Sequence, residues 1–211
     1  ALARKYKGDN PLFIYLPETD FDQEKFLSDI EKSFEKNCNI VVCVSEGIHD
    51  ASGTFICEYD SSVGTDTFGH KMLAGCGKYL ENLVRSRLGV KARSVELNVS
   101  QRCSASLISA TDQQEAVMAG RFGVQAALKG ETGKMVSFIR EHTADGAYKM
   151  ICGLEDVNLI CNEEKTVPVQ WITADGSDVT DEFISYARPL IQGSIQVPVG
   201  EDGLPAFVYR K

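Results

Sequence analysis

Several scarcities narrow the class of this 211-residue chain before any motif is read. Histidine is scarce: His49, His70 and His142 are scattered, and none has a cysteine at ligand spacing, so no zinc site is expected. No C-x-x-C pair occurs among the seven cysteines. Cys43, Cys57 and Cys152 sit inside apolar segments and read as reduced core thiols rather than a disulfide framework. Basic residues are outnumbered, 22 Lys and Arg against 30 Asp and Glu, for a net charge of -8. Nucleic acid is therefore not the expected main partner, because a phosphate backbone wants a basic face. A small anion stays compatible, since a local cluster of Arg and Lys can act against a negative background. No run of about 18 apolar residues occurs and no charged-then-apolar leader opens the chain, so no membrane span or secretory signal is expected and the expected setting is cytoplasmic. There is no initiator Met. The opening "ALARKYKGDNP" reads as the last turn and a half of a helix stopped by Gly8, and so as part of a longer polypeptide.

What is present is a core and an alternation of strand and helix patterns. A hydrophobic fraction of 43% can supply a sizeable core. Residues 11–17, "PLFIYLP", are too short for a helix and read as a buried strand. Residues 19–38 place Phe21, Phe26, Leu27, Ile30 and Phe34 on one face, with Thr19 or Asp20 as the cap, which predicts an amphipathic helix. Residues 39–44, "NIVVCV", read as a second buried strand, and strand–helix–strand makes a parallel unit with a right-handed crossover. Residues 49–72 turn polar and glycine-containing, an excursion over the sheet. A helix over 73–88 stopped by Gly89 and a third strand over 92–100 follow. Thr111 or Asp112 should cap a long helix to Leu128, with Glu115 in a capping-box-like place. Residues 135–140 and 148–154 read as a hairpin, and 179–191 as a last helix. The expected class is α/β: a Rossmann-like three-layer sandwich with a mostly parallel sheet.

Candidate chemistry sits at the strand ends. Glu18, Glu46 and Arg102 follow the first, second and third predicted strands, and open parallel sheets bind ligands at their carboxyl edges. If the strands are neighbours, the three groups converge on one crevice. Arg102, in "VELNVSQRCSAS", offers a planar fork suited to phosphate or carboxylate; a solvated surface arginine is the alternative. For Glu46 the alternative is a polar strand end tied to backbone. Arg93 would lie roughly 30 Å from Arg102 along a straight strand at about 3.3 Å per residue, and could not share its site within one subunit. No nucleophile has an adjacent base, and "GKYLENLVRSRLG" lacks the ending of a phosphate loop. His49 and His70 read as structural or peripheral, and Arg121 as solvated or interhelical.

Taken in order, "VVCVSEG", "KARSVELNVSQRCSAS", "TDQQEAVMAGRFGVQAALKGETGKMV" and "NEEKTVPVQWI" resemble the carboxyl-terminal half of the 6-phosphofructokinases, in particular their diphosphate-dependent branch. The resemblance covers essentially the whole chain. It implies that residues 1–211 are the fructose 6-phosphate-binding portion of such an enzyme, with 165–211 a tail packing back on an amino-terminal domain. It implies that Glu46 contacts the sugar hydroxyls, that Arg102 binds the 6-phosphate, and that Arg93 is lent to a neighbouring subunit of a homo-oligomer. The implied activity is glycolytic phosphorylation of fructose 6-phosphate to fructose 1,6-bisphosphate, with Mg2+ held mainly outside this chain. The chain also departs from the family's pattern. Val99 stands where the ATP-dependent enzymes have a histidine, and there is no G-G-D, no T-I-D-x-D and no M-G-R segment for donor and catalytic base. No catalytic residue is therefore expected here. A non-catalytic sugar-phosphate-binding module or a regulatory subunit is the alternative.

Overall fold

The apolar run after Pro11 forms β1, Phe13–Tyr15, which pairs in parallel with β2, Val42–Val44, with Phe13 opposite Val42 and Tyr15 opposite Val44. Both strands lie within the predicted runs, at shorter length. The computed structural model describes residues 1–59, 75–143 and 146–206, and the chain divides into one unit of Ala1–Asn98 with Thr166–Ser185 and another of Val99–Lys165 with Tyr186–Lys211. Within residues 165–211, 166–185 belong to the first unit and 186–211 to the second.

In the first unit, helix α1, Gln23–Phe34, makes the crossover between the strands. Asp22 caps it, accepting from the amides of Glu24 at 2.9 Å and Lys25 at 3.0 Å. Thr19 and Asp20 are not the cap, because the chain is still engaged at Phe21, whose N–H donates to the His49 carbonyl. Phe26, Leu27 and Ile30 of α1 are buried with Tyr15 and Phe21. The Tyr15 ring meets Phe21 edge-on at 5.0 Å and Phe26 at 5.7 Å. Each such side chain contributes about 1.5–3 kcal/mol on burial. Ile48, Ile56 and Cys57 join this core, as do Cys76, Leu80 and Val84 of helix α2, Cys76–Leu88. Gly89 stops α2 at φ 67°, a left-handed conformation that suits glycine, as the sequence predicts. The returning segment packs beside β1, where the Ile14 amide donates to the Ser177 carbonyl at 2.8 Å.

The second unit holds helix α3, Asn98–Arg102, which starts at the last residue of the first, and helix α4, Ala110–Leu128. Ser109, not Thr111 or Asp112, caps α4 by accepting from the Asp112 amide at 3.0 Å. Strands β3, Lys134–His142, and β4, Tyr148–Asp156, form the predicted antiparallel hairpin, with Lys134 opposite Asp156 and His142 opposite Tyr148. Helix α5, Val157–Ile160, follows. Helix α6, Asp181–Ala187, runs into a 3-10 turn, Arg188–Ile191, instead of continuing to Ile191. Pro189 explains the change, since it has no N–H for the α-helical ladder and its ring crowds the preceding turn.

Three further sequence expectations fail. Residues 92–97 form no strand, and α3 occupies the rest of the predicted one. Val95, Leu97 and Val99 are 81%, 58% and 68% exposed. Their alternation encodes a face for burial, but a strand also needs a neighbour's ladder, and no described strand pairs with this segment. Residues 1–6 form a turn rather than a helix end; Arg4 instead pairs with Asp178 at 2.6 Å and donates to the Pro11 carbonyl. Cys43 is exposed, because successive strand side chains alternate and Val42 and Val44 take the more buried positions. The polar excursion is described as far as Tyr59, through a His49–Phe55 bridge and a 3-10 turn, Ile56–Tyr59. His70 and "DTFGHKMLAG" up to Ala74 lie outside the described residues. Among the described residues no helix is long and apolar enough to cross a membrane.

Residues 92–97 are tethered to α2 by Glu81, whose Oε2 accepts from both the amide and the hydroxyl of Ser94, at 2.9 and 2.8 Å. The hydrogen bond from Lys78, then those from Ser94, hold the Glu81 carboxyl down at about 2, against an ordinary 4.5. A depressed carboxyl lends its stability above the unfolded value and loses it as pH falls through the folded one. The Ser94 amide should therefore lose its protection from hydrogen exchange as pH falls from about 4.5 to about 2, and Glu81→Ala should remove that protection at every pH. A Ser94 amide as protected below this window as above it would contradict the tether.

Candidate functional site

Parallel strands deliver their carboxyl ends to one edge, and here that edge carries two carboxylates. Glu18 follows β1 by three residues and Glu46 follows β2 by two. The turns that hold them meet at Gly47, where an added Cβ would stand 3.7 Å from that of Pro17, an ordinary contact. Glu46 is exposed and makes no hydrogen bond or ion pair among the described residues. The Glu18 Oε1 accepts from the Val167 amide at 2.8 Å, while its Oε2 is buried with no hydrogen-bond partner among the described residues. A buried carboxylate oxygen left unpaired is costly, so Glu18 is fixed by the chain's return segment at some expense.

Arg102 is the last residue of α3, exposed, and in the second unit, while Arg93 is exposed in the first unit beside the tethered Ser94. Glu18 and Glu46 thus follow two paired parallel strands, whereas Arg102 ends a helix in the second unit and directly follows no described strand. The straight-strand spacing between Arg93 and Arg102 falls with the missing strand. Neither arginine has a carboxylate partner among the described residues, whereas Arg4 pairs with Asp178, Arg85 with Glu81 and Arg87 with Glu24. Arg121, also unpaired there, lines an open groove on α4 with Val117, Met118 and Phe122.

Sequence reasoning missed Arg140. Its guanidinium carbon stands 4.8 Å from the centre of the Tyr148 ring and 5.1 Å from that of Tyr186, and its Nη1 donates to the Tyr186 carbonyl at 2.8 Å. Tyr148 is itself anchored, donating its hydroxyl to Glu115 Oε1 at 2.6 Å. Burial, and then that hydrogen bond, push the Tyr148 hydroxyl up to about 12, so it remains a donor. The hairpin register was the available signal: Arg140 faces Met150, which makes Tyr148 its diagonal neighbour across the strands.

Other reactive groups are quiet. Cys76 begins α2, a position that favours a thiolate, yet burial pushes its thiol up to about 12. His49 packs edge-on against Phe55, with its Nδ1 3.9 Å from Asp20. Among the described residues no group of three or more His, Cys, Asp or Glu could hold a metal ion, so these residues do not fit a magnesium site.

No protein-family model matches the chain. The pyrophosphate–fructose 6-phosphate 1-phosphotransferase of Xanthomonas campestris pv. campestris (strain B100) is 35% identical over 210 residues, covering 100% of this chain and 49% of that protein. The protein of the same name from Rhodospirillum rubrum is 36% identical over 196 residues, 90% of this chain and 48% of its own length. Among solved structures, the pyrophosphate-dependent phosphofructokinase of Marinobacter aquaeolei superposes with a TM-score of 0.76 at 28% identity, over 100% of this chain and 49% of that one. The chain spans about half the length of the curated relatives it matches. In sequence and in fold the chain corresponds to the carboxyl-terminal half of the pyrophosphate-dependent phosphofructokinases.

Proposed function

We propose that this chain is the acceptor-binding portion of a diphosphate-dependent 6-phosphofructokinase, which transfers a phosphoryl group to fructose 6-phosphate and yields fructose 1,6-bisphosphate in glycolysis. The observation that carries this reading is the end-to-end likeness, at 35% identity, to one half of a protein named for that reaction. Phosphoryl transfer depends on positioning and on stabilising developing charge. Glu46, exposed at the carboxyl edge of β2, is suited to accept hydrogen bonds from sugar hydroxyls. Arg102, exposed and without an acidic partner among the described residues, is suited to the dianionic 6-phosphate, to which a guanidinium offers a two-pronged, charge-assisted contact. Arg93 serves a neighbouring subunit of a homo-oligomer. The amino-terminal portion supplies the donor site and the general base, and Mg2+, which such transfers use, belongs to that portion; the complete enzyme works in the cytoplasm.

Hydrogen bonds to charged groups contribute about 1.5–3 kcal/mol, so in the complete enzyme Arg102→Ala should weaken fructose 6-phosphate binding by roughly tenfold to over a hundredfold. Arg102→Lys should recover part of the loss, and Arg121→Ala should change affinity little. Melting temperatures should scarcely move, because Arg102 is exposed and unpaired among the described residues. An Arg102→Ala enzyme that binds the sugar phosphate normally would refute the assignment. The 211-residue chain by itself should make no fructose 1,6-bisphosphate from fructose 6-phosphate, diphosphate and magnesium. Turnover by the purified chain would overturn the division of labour between the two portions.

A further inference from the structure

The clamp around Arg140 has no part in that reading, yet it holds a cation that has no carboxylate partner among the described residues. Arg4, Arg85 and Arg87 each have a carboxylate within 4.0 Å. Arg140 has none there, in a chain with 30 Asp and Glu. It is instead held by uncharged groups: a tyrosine ring at 4.8 Å, another at 5.1 Å, and one backbone carbonyl. These contacts fix the plane of the guanidinium without cancelling its charge. They come from separate parts of the second unit, since Tyr148 starts β4 and Tyr186 lies near the end of α6. Glu115 reaches the clamp through the Tyr148 hydroxyl rather than through the guanidinium, which leaves the positive charge unspent.

A long flexible side chain ordinarily loses rotamer freedom when it binds an anion, and that cost lowers affinity. Here the freedom is already lost. With Nη1 engaged by the Tyr186 carbonyl, no described residue accepts from the remaining N–H groups of the exposed guanidinium. A planar donor set held in this way suits an oxyanion with several acceptor oxygens. We infer that Arg140, with Tyr148 and Tyr186, forms an oxyanion site for a phosphate group, either free inorganic phosphate or the phosphoryl group of a sugar phosphate. Arg140 makes the contact, Tyr148 and Tyr186 orient it, and Glu115 orients Tyr148.

The inference stands apart from the role proposed for Arg102, and inorganic phosphate tests it directly. Calorimetric titration of the 211-residue chain with phosphate, at constant ionic strength and with acetate as the carboxylate control, should show saturable phosphate binding. Arg140→Ala should weaken it by about tenfold or more, the loss of one charge-assisted contact. Arg140→Lys keeps the charge but not the fork, and should remain several-fold weaker than wild type. Tyr148→Phe, which keeps the ring and frees it from Glu115, should weaken phosphate by a smaller factor. Arg102→Ala should leave this binding in place, so failure of the sugar-phosphate reading and failure of this one are told apart. Fructose 6-phosphate competing for the Arg140-dependent site would name the sugar phosphate as the source, and absence of competition would name free phosphate. Should Arg140→Ala fail to fold, the lysine variant decides at unchanged melting temperature: weaker binding supports the site and equal binding overturns it. Absence of phosphate binding by the wild type, equal binding of acetate, or unchanged affinity in a folded Arg140→Ala protein would each overturn the proposal.

Discussion

Parallel strands cannot be joined by a tight turn, and this constraint organises the first unit. The chain leaving β1 must cross over the sheet before β2 can pair, and α1 makes the crossing. The crossing helix lays Phe26, Leu27 and Ile30 on Tyr15 and Phe21, so the connection is also the core. The same geometry sends both strands' carboxyl ends the same way and places Glu18 and Glu46 on one edge. The returning segment then fixes that edge, through Ser177 on the Ile14 amide and Val167 on the Glu18 carboxylate. A loss in the aromatic core would therefore disturb Glu46 through β2 without touching it directly.

The second unit is built differently. Its hairpin is fully registered and α4 packs on it, yet only Ala126 and Met150 among its described hydrophobic residues are buried. Leu107, Leu128 and Leu159 are 81%, 83% and 73% exposed. Hydrogen bonding shapes such a unit more than burial does, and its anchors are individual polar contacts: Ser109 at the start of α4, Tyr148 on Glu115, Arg140 on Tyr186. Such apolar exposure occurs in a chain that spans about half the length of the curated relatives it matches.

Much of the fold was legible because it is local. The 3.6-residue pattern of Phe26, Leu27 and Ile30 gave α1, Gly89 gave the end of α2, and two β-rich runs around a turn gave the hairpin. Caps were misplaced by a few residues, since Asp22 and Ser109 compete with neighbours of similar chemistry and tertiary contacts such as Phe21 on His49 decide. The third strand was misread for a deeper reason. Val95, Leu97 and Val99 carry a strand's alternation, but pairing is not local, and no partner lies within the described residues. Glu46 was legible as a strand-end group for the same reason that β2 was. The Arg140 clamp was hidden because it needs the hairpin register and a tyrosine 46 positions away.

The central claim is that the α1 crossover holds the carboxyl edge of β1 and β2 through the aromatic core. Amide hydrogen exchange at Ser45, whose N–H donates to the Tyr15 carbonyl at 2.9 Å, tests it most directly when Phe26 is truncated to Ala. The account predicts markedly faster exchange at Ser45 in a Phe26→Ala protein that stays folded. Unchanged exchange there would contradict it.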